Sequence, residues 1–194
     1  MKKLISVLSV GVLVLLLASP AQADVWLFNV LNVEKKLGDS NFSLEFNVFN
    51  SLETTKSVNQ FFIYGGISYE YLKGQKIAIQ PGISMNYPVG EHQPMVSIST
   101  WGALTDKISY SLEMDVIGIS KPTYFYSGSI RYEILPNLFA GSFVLGENLH
   151  PAIGPTLRYI FNTQFGSIGI EYLHQIGMTD GFSQTPTFQL LMFL

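Results

Sequence analysis

The residues of this chain whose charges could do chemistry stand in apolar company. Glu45, Glu70, Glu113, Asp115, Glu133 and Glu171, with Arg131 and Arg158, each fall within or at the end of a stretch rich in Ile, Val, Phe, Tyr and Leu. Acids in such surroundings can serve as general acid and base, pair with a guanidinium, or line an aqueous path for cations. The arginines do not balance the acids even when Lys76 joins them, so the excess cannot lie dry without bound protons or cations. Acid-pair hydrolysis would need carboxylates close together, and Asp115 and Glu171, the acids expected nearest one rim, lie on separate segments.

The three histidines, His92, His150 and His174, all fall in or beside connections between apolar stretches, and Glu147 is close to His150. A cluster of this kind can act as a catalytic base or hold a metal. No Ser-His pairing and no metal-ligand spacing accompanies them, and polar loops collect histidines without further cause. They stand as loop candidates only, and no catalytic residue, metal ligand or cofactor site is assigned.

The elements that must position these residues begin after a leader. Lys2 and Lys3 precede an apolar run from Leu4 to Ala18, and Ala21-Gln22-Ala23 is a small-x-small cleavage pattern. Residues 1–23 therefore read as a cleaved signal peptide, with Asp24 first in the mature chain, because the run is short of the ~20 apolar residues a membrane helix needs. Losing Lys2 and Lys3 deepens the net charge beyond the −3 of the full chain, which speaks against a nucleic-acid partner. There is no cysteine for a disulfide framework. Charged residues make up 13% of the chain, against ~25% in ordinary soluble domains. After the leader no apolar run reaches membrane-helix length, so entry into a bilayer would require a closed β-barrel.

From Asn41 onward the chain reads as ten strands of alternating character, parted by Gly, Pro, Asn and Asp turns. Within 75–87, Ile77, Ile79, Pro81, Ile83, Met85 and Tyr87 share one face, and Lys76, Ala78, Gln80, Gly82, Ser84 and Asn86 the other. Ile108, Tyr110, Leu112, Met114 and Val116 likewise oppose Ser109, Ser111, Glu113 and Asp115. The charged residues named above sit on the polar face, as they would in a membrane barrel, where a charge turned to lipid costs ~2 to 4 kcal/mol at the midplane. A soluble lipocalin-like barrel would turn the apolar face inward and solvate the other, but that other face carries Lys76 as its only lysine. Tyr69, Tyr71, Tyr132, Tyr159 and Phe161 fall at one set of strand ends, and Tyr87, Tyr124, Tyr126 and Tyr172 at the other, as two interfacial girdles would. Alternate connections are long, up to residues 174–185, and the rest short, down to Lys73-Gly74, which places the short ones and both barrel ends in the periplasm.

The last segment adds a resemblance. Phe188, Leu190, Met192 and Leu194 alternate to the end of the chain, and in this the sequence resembles the small bacterial outer-membrane β-barrel class, whose C-terminal strand is read by the barrel-assembly machinery. The class usually ends on Phe, whereas here Phe193 stands one place early and on the opposite face. The likeness covers residues 41–194 in pattern only and carries over no functional residue. It implies an all-β, antiparallel, up-and-down transmembrane barrel in the outer membrane of a Gram-negative bacterium, in contact with outer-membrane lipid and the assembly machinery.

Residues 24–40 admit two readings. Trp26, Val30, Val33 and Leu37 follow a helical spacing, with Lys35 and Lys36 in a last turn and Gly38 as the stop, which favours a short amphipathic helix. An extra strand is the rival. The function expected of the whole is a structural or small-solute-binding barrel with a polar, acidic lumen. A narrow cation-preferring pore, a lipid-modifying enzyme and a soluble lipid-binding barrel are the alternatives.

Overall fold

The computed structural model describes residues 26–53, 59–87, 90–178 and 184–194. The proposed signal peptide, residues 1–23, lies outside them. Eleven strands follow one another: β1 (Trp26–Lys36), β2 (Phe42–Glu53), β3 (Asn59–Leu72), β4 (Gln75–Tyr87), β5 (Glu91–Ala103), β6 (Ile108–Ile117), β7 (Thr123–Leu135), β8 (Leu138–Glu147), β9 (His150–Thr163), β10 (Gly166–Gly177) and β11 (Gln184–Phe193). Each pairs with its sequence neighbours, and β1 pairs with β11 to close a barrel.

Three expectations are corrected here. The barrel has eleven strands, not ten. The segment expected to be an amphipathic helix is β1, and no helix occurs among the described residues. With an odd count the first and last strands run the same way, so the closing pair is parallel, unlike all the others, and Trp26 and Phe193 lie at opposite rims. The physical reason is edge satisfaction. β1 takes its partners from β2 along Trp26 to Lys36 and from β11 along Trp26 to Asn32, so neither neighbour is left with an unpaired edge. Period two also suits its side chains: Asn32 and Glu34 turn inward to bond residues of β2.

The rim where β11 ends also holds the connections 37–41, 73–74, 104–107, 136–137 and 164–165, and is called the C-terminal rim below. The opposite, N-terminal rim holds the other connections, of which 148–149 is as tight as any. The strands run further into the expected loops than the sequence suggests. Glu147 and His150 pair directly across a two-residue turn whose Asn148 has φ 51°, so the contrast in loop length between the rims is weaker than expected.

Strand alternation sorts the side chains by polarity, with the apolar set outside. Ile79 is 59% exposed and Leu112 53%, while Ser97 and Glu171 are wholly buried. Phe42, Leu44, Phe46, Ile67, Ile83 and Ile130 also present themselves outward. Ser43, Glu45, Asn47, Ser68, Gln80 and Thr187 are buried. Apolar side chains cross the interior mainly toward the N-terminal rim, where Phe62, Tyr64, Met95 and Ile117 pack together with Phe49.

Aromatic residues gather on the outer surface near the C-terminal rim. Phe42 packs against Tyr69 with ring centroids 4.9 Å apart and the rings tilted by 41°, and Tyr159 meets Phe161 edge-on at 4.6 Å. The hydroxyls of Tyr71 and Tyr110 lie 2.6 Å apart. Their hydroxyls give this otherwise apolar wall polar tips.

Candidate functional site: the barrel interior

The interior holds three side-chain groupings, each fixed by the inward beat of its strands. In the first, Glu171 of β10 lies between two guanidiniums. Arg131 of β7 donates from Nε to Oε1 at 2.8 Å, and Arg158 of β9 donates from Nε and Nη2 to Oε2 at 3.0 and 2.6 Å. The Thr156 hydroxyl also donates to Glu171, and Arg131 donates to Ser129. A carboxylate shared between two guanidiniums is satisfied on both oxygens and leaves the group with one formal positive charge.

In the second, Tyr64 of β3 donates its hydroxyl to Glu113 of β6 at 2.9 Å, and Ser97 donates to the same oxygen at 3.1 Å. Asp115 is two residues from Glu113, on the same face of β6, and 5% exposed. Its Oδ1 has no hydrogen-bond partner. Neither acid has an ion-pair partner among the described residues.

The third group lies near the C-terminal rim. Lys76 of β4 pairs with Glu34 of β1, to which Ser43 also donates at 2.8 Å. Glu45 receives Ser68 at 2.7 Å and Asn32 at 3.3 Å, and Asn32 also donates to Asn47 at 2.7 Å.

Three of these contacts are chords, joining strands that are not neighbours in the sheet: β3 to β6, β7 to β10, and β4 to β1. Room for them comes from the opposite strand. Tyr64 is paired with Gly82 and Arg131 with Gly141. A Cβ on Gly82 would lie 2.5 Å from Cβ of Tyr64, and one on Gly141 2.8 Å from Cα of Arg131. A larger residue at either position would therefore displace a chord.

A cavity of about 740 Å³ remains inside the barrel. Its wall includes Glu113 at mid-barrel, Asp115, Phe49 and Phe62 toward the N-terminal rim, Arg131 and Arg158 toward the C-terminal rim, and Ser167, Phe193 and Leu194 at that rim. Water fits this mixture of charge and aromatic surface, and so does a small solute with both polar and apolar parts.

Of the residues singled out from the sequence, Glu113, Asp115, Arg131, Arg158, Glu171 and Glu45 lie in these groupings. Glu70 and Glu133 serve the turns instead. Gly74 N–H donates to Glu70 Oε1 at 2.7 Å, and Asn137 N–H to Glu133 Oε1 at 2.8 Å. Each acid precedes an irregularity in the strand register, and each receiving residue has positive φ, 74° and 65°. A Glu-x-Leu-x-Gly/Asn pattern thus builds two tight turns by the same means.

His92 on β5, His150 on β9 and His174 on β10 sit toward the N-terminal rim but on different strands. Glu147 is paired with His150 across the β8–β9 turn, and the Tyr172 hydroxyl lies 3.0 Å from Nδ1 of His174. The described residues bring no three of His, Asp and Glu together as metal ligands would be. Glu34, Tyr64 and Asn32 were not picked out from the sequence. The inward beat of β3, shared with Gln60, Phe62 and Ser68, is the signal that would have found Tyr64.

The fold and site together define a closed β-barrel with a polar, charged interior and an apolar outer wall. The chain matches no protein-family model and no curated protein sequence.

Proposed function

We propose that the chain is an outer-membrane β-barrel of a Gram-negative bacterium that holds a small solute in its interior and does not conduct freely through it. The observation that carries this is the inversion of polarity: isoleucines and leucines half exposed outside, Glu171 and Ser97 sealed inside. In water, an outer wall this apolar would aggregate. In a bilayer it replaces lipid-to-lipid contact at no cost, while the buried charges avoid the penalty of facing acyl chains. A lipocalin-like barrel would need the opposite arrangement.

The chords favour holding over conducting. Barrels of ~8 strands leave an interior that side chains can fill, and here ion pairs and a tyrosine cross the wider interior of an eleven-stranded barrel. The outer wall would contact outer-membrane lipid, and β11, with Phe188, Leu190 and Met192 at its outward positions, would be the strand offered to the barrel-assembly machinery. We place the C-terminal rim in the periplasm.

The test is fractionation of an expressing Gram-negative cell, followed by addition of the detergent-extracted protein to a planar lipid bilayer. Recovery in the outer membrane with a silent bilayer is expected. Recovery in the soluble periplasmic fraction would overturn the membrane assignment. Discrete cation-selective steps would replace the holding barrel with a narrow pore through the acidic groups.

A further inference from the structure

Glu113 and Asp115 present a charge that the barrel does not answer. Both project inward from β6 and line the cavity. The guanidiniums are engaged elsewhere: Arg131 and Arg158 bond Glu171, and Arg131 is paired with Ser109, at the far end of β6 from Asp115. Lys76 is committed to Glu34. Asp115 lines the cavity yet is buried, and its Oδ1, covered from solvent, has no hydrogen-bond partner. A buried carboxylate oxygen without a donor is costly, so a ligand that supplies donors and positive charge gains there what water gains elsewhere.

The surroundings select the kind of cation. A hard divalent ion takes six to eight oxygens, and here there are two carboxylates with no third acid or histidine beside them among the described residues. The cavity, about 740 Å³, is many times the ~30 Å³ share of one water molecule. Its wall is aromatic on the side of Asp115, which is paired directly with Phe125; Glu113 is flanked by Ser99 and Ser127, and Phe62 and Phe143 line the same space. An ammonium offers three N–H donors, and rings beside it add attraction to the positive charge as well as apolar contact for the rest of the molecule.

We propose that Glu113 and Asp115 form the binding site for the ammonium head of an organic amine whose apolar body lies against Phe62, Phe125 and Phe143. This rests on the reading of the barrel as a holder of small solutes and names the chemical class it holds. Tyr64 and Ser97 are positioning residues: their hydroxyls fix one oxygen of Glu113, and Ser97 is also the direct cross-strand partner of Asp115.

The test is calorimetric titration of the full chain, folded in detergent micelles, with 2-phenylethylamine, its uncharged counterpart 2-phenylethanol, and calcium chloride. The amine is expected to saturate one site, with the alcohol weaker by about tenfold or more. Asp115→Asn and Glu113→Gln should each weaken the amine by a similar factor, and Glu45→Gln should leave it unchanged. The comparison of amine with alcohol needs no variant, so a folding defect cannot mask the answer. Equal affinity for amine and alcohol, no binding of the amine, binding of calcium in its place, or undiminished binding to a folded Asp115→Asn protein would each overturn the proposal. Recovery of the chain outside the membrane would defeat the membrane reading alone. A failed titration on a membrane-recovered barrel would defeat the amine site alone.

Discussion

On β10 a single carboxylate lies between two guanidiniums, and on β6 two carboxylates lie side by side with none. Both groups are enclosed by the same barrel and both rest on inward-facing positions, yet Glu171 is bonded on both oxygens while Asp115 has one oxygen bonded to nothing. The difference separates structure from readiness. Ion pairs that satisfy one another hold strands together across the interior and leave little to offer a ligand. Charges left unmatched destabilise the empty barrel and are thereby available for binding.

The largest effect should come from breaking the matched group. Glu171→Gln removes the charge shared by Arg131 and Arg158 and leaves a buried and a half-buried guanidinium without their common partner, at a cost of about 3 kcal/mol. A lower urea midpoint in the micelle-folded protein, read from its heat-dependent electrophoretic mobility, would register it. A midpoint unchanged from wild type would mean that the triad does not brace the barrel. Gly82→Ala comes next. Its new methyl meets the Tyr64 backbone and Cβ, so the cost should be about 1–3 kcal/mol as the pair of strands shifts. The same unfolding measurement should show it, and Ser84→Ala, one inward position along β4, should move the midpoint less.

Much of the barrel was legible because polarity alternates with strand period. β2, β4 and β6 each place their charges and small polar residues on one face, and no helical period competes there. The N-terminal segment misled for a definite reason: Trp26, Val30, Val33 and Leu37 satisfy a helix as well as isolated residues can. What decides the matter is the pairing of β1 with β2 and with β11, the second of which joins the two ends of the described chain and is absent from local spacing. Glu34 was lost with that segment, and with it the partner of Lys76. The matched and unmatched acids were alike in sequence for a similar reason. Which guanidinium reaches which carboxylate depends on register across intervening strands, so Glu171 and Asp115 both read simply as inward acids. Glu70 and Glu133 read that way too, although Leu72 with Gly74, and Leu135 with Asn137, are local turn signals.

A smaller effect, of opposite sign to the first, should follow from relieving the unmatched group. Asp115→Asn keeps the shape of the side chain and removes a buried charge with no counter-ion, so the empty barrel should gain about 1–2 kcal/mol. The urea midpoint should rise, in contrast to the fall produced by Glu171→Gln. A fall of similar size in both variants would erase the distinction between the two groups.

The smallest effect should be at the turns. In Glu133→Ala the N–H of Asn137 loses its carboxylate at a rim open to water, which can replace the bond, so the loss should be about 1 kcal/mol or less. Glu70→Ala should match it, since Gly74 depends on Glu70 in the same way. The comparison has force because all these acids occupy the polar beat of a strand. If Glu133 acted as part of the interior charge system, its removal would shift the midpoint on the scale of Glu171 and would change amine affinity. If it only closes a turn, the midpoint should move slightly, amine affinity should stay at the wild-type value, and hydrogen exchange should quicken at Asn137 while the amides of β6 and β10 keep their protection.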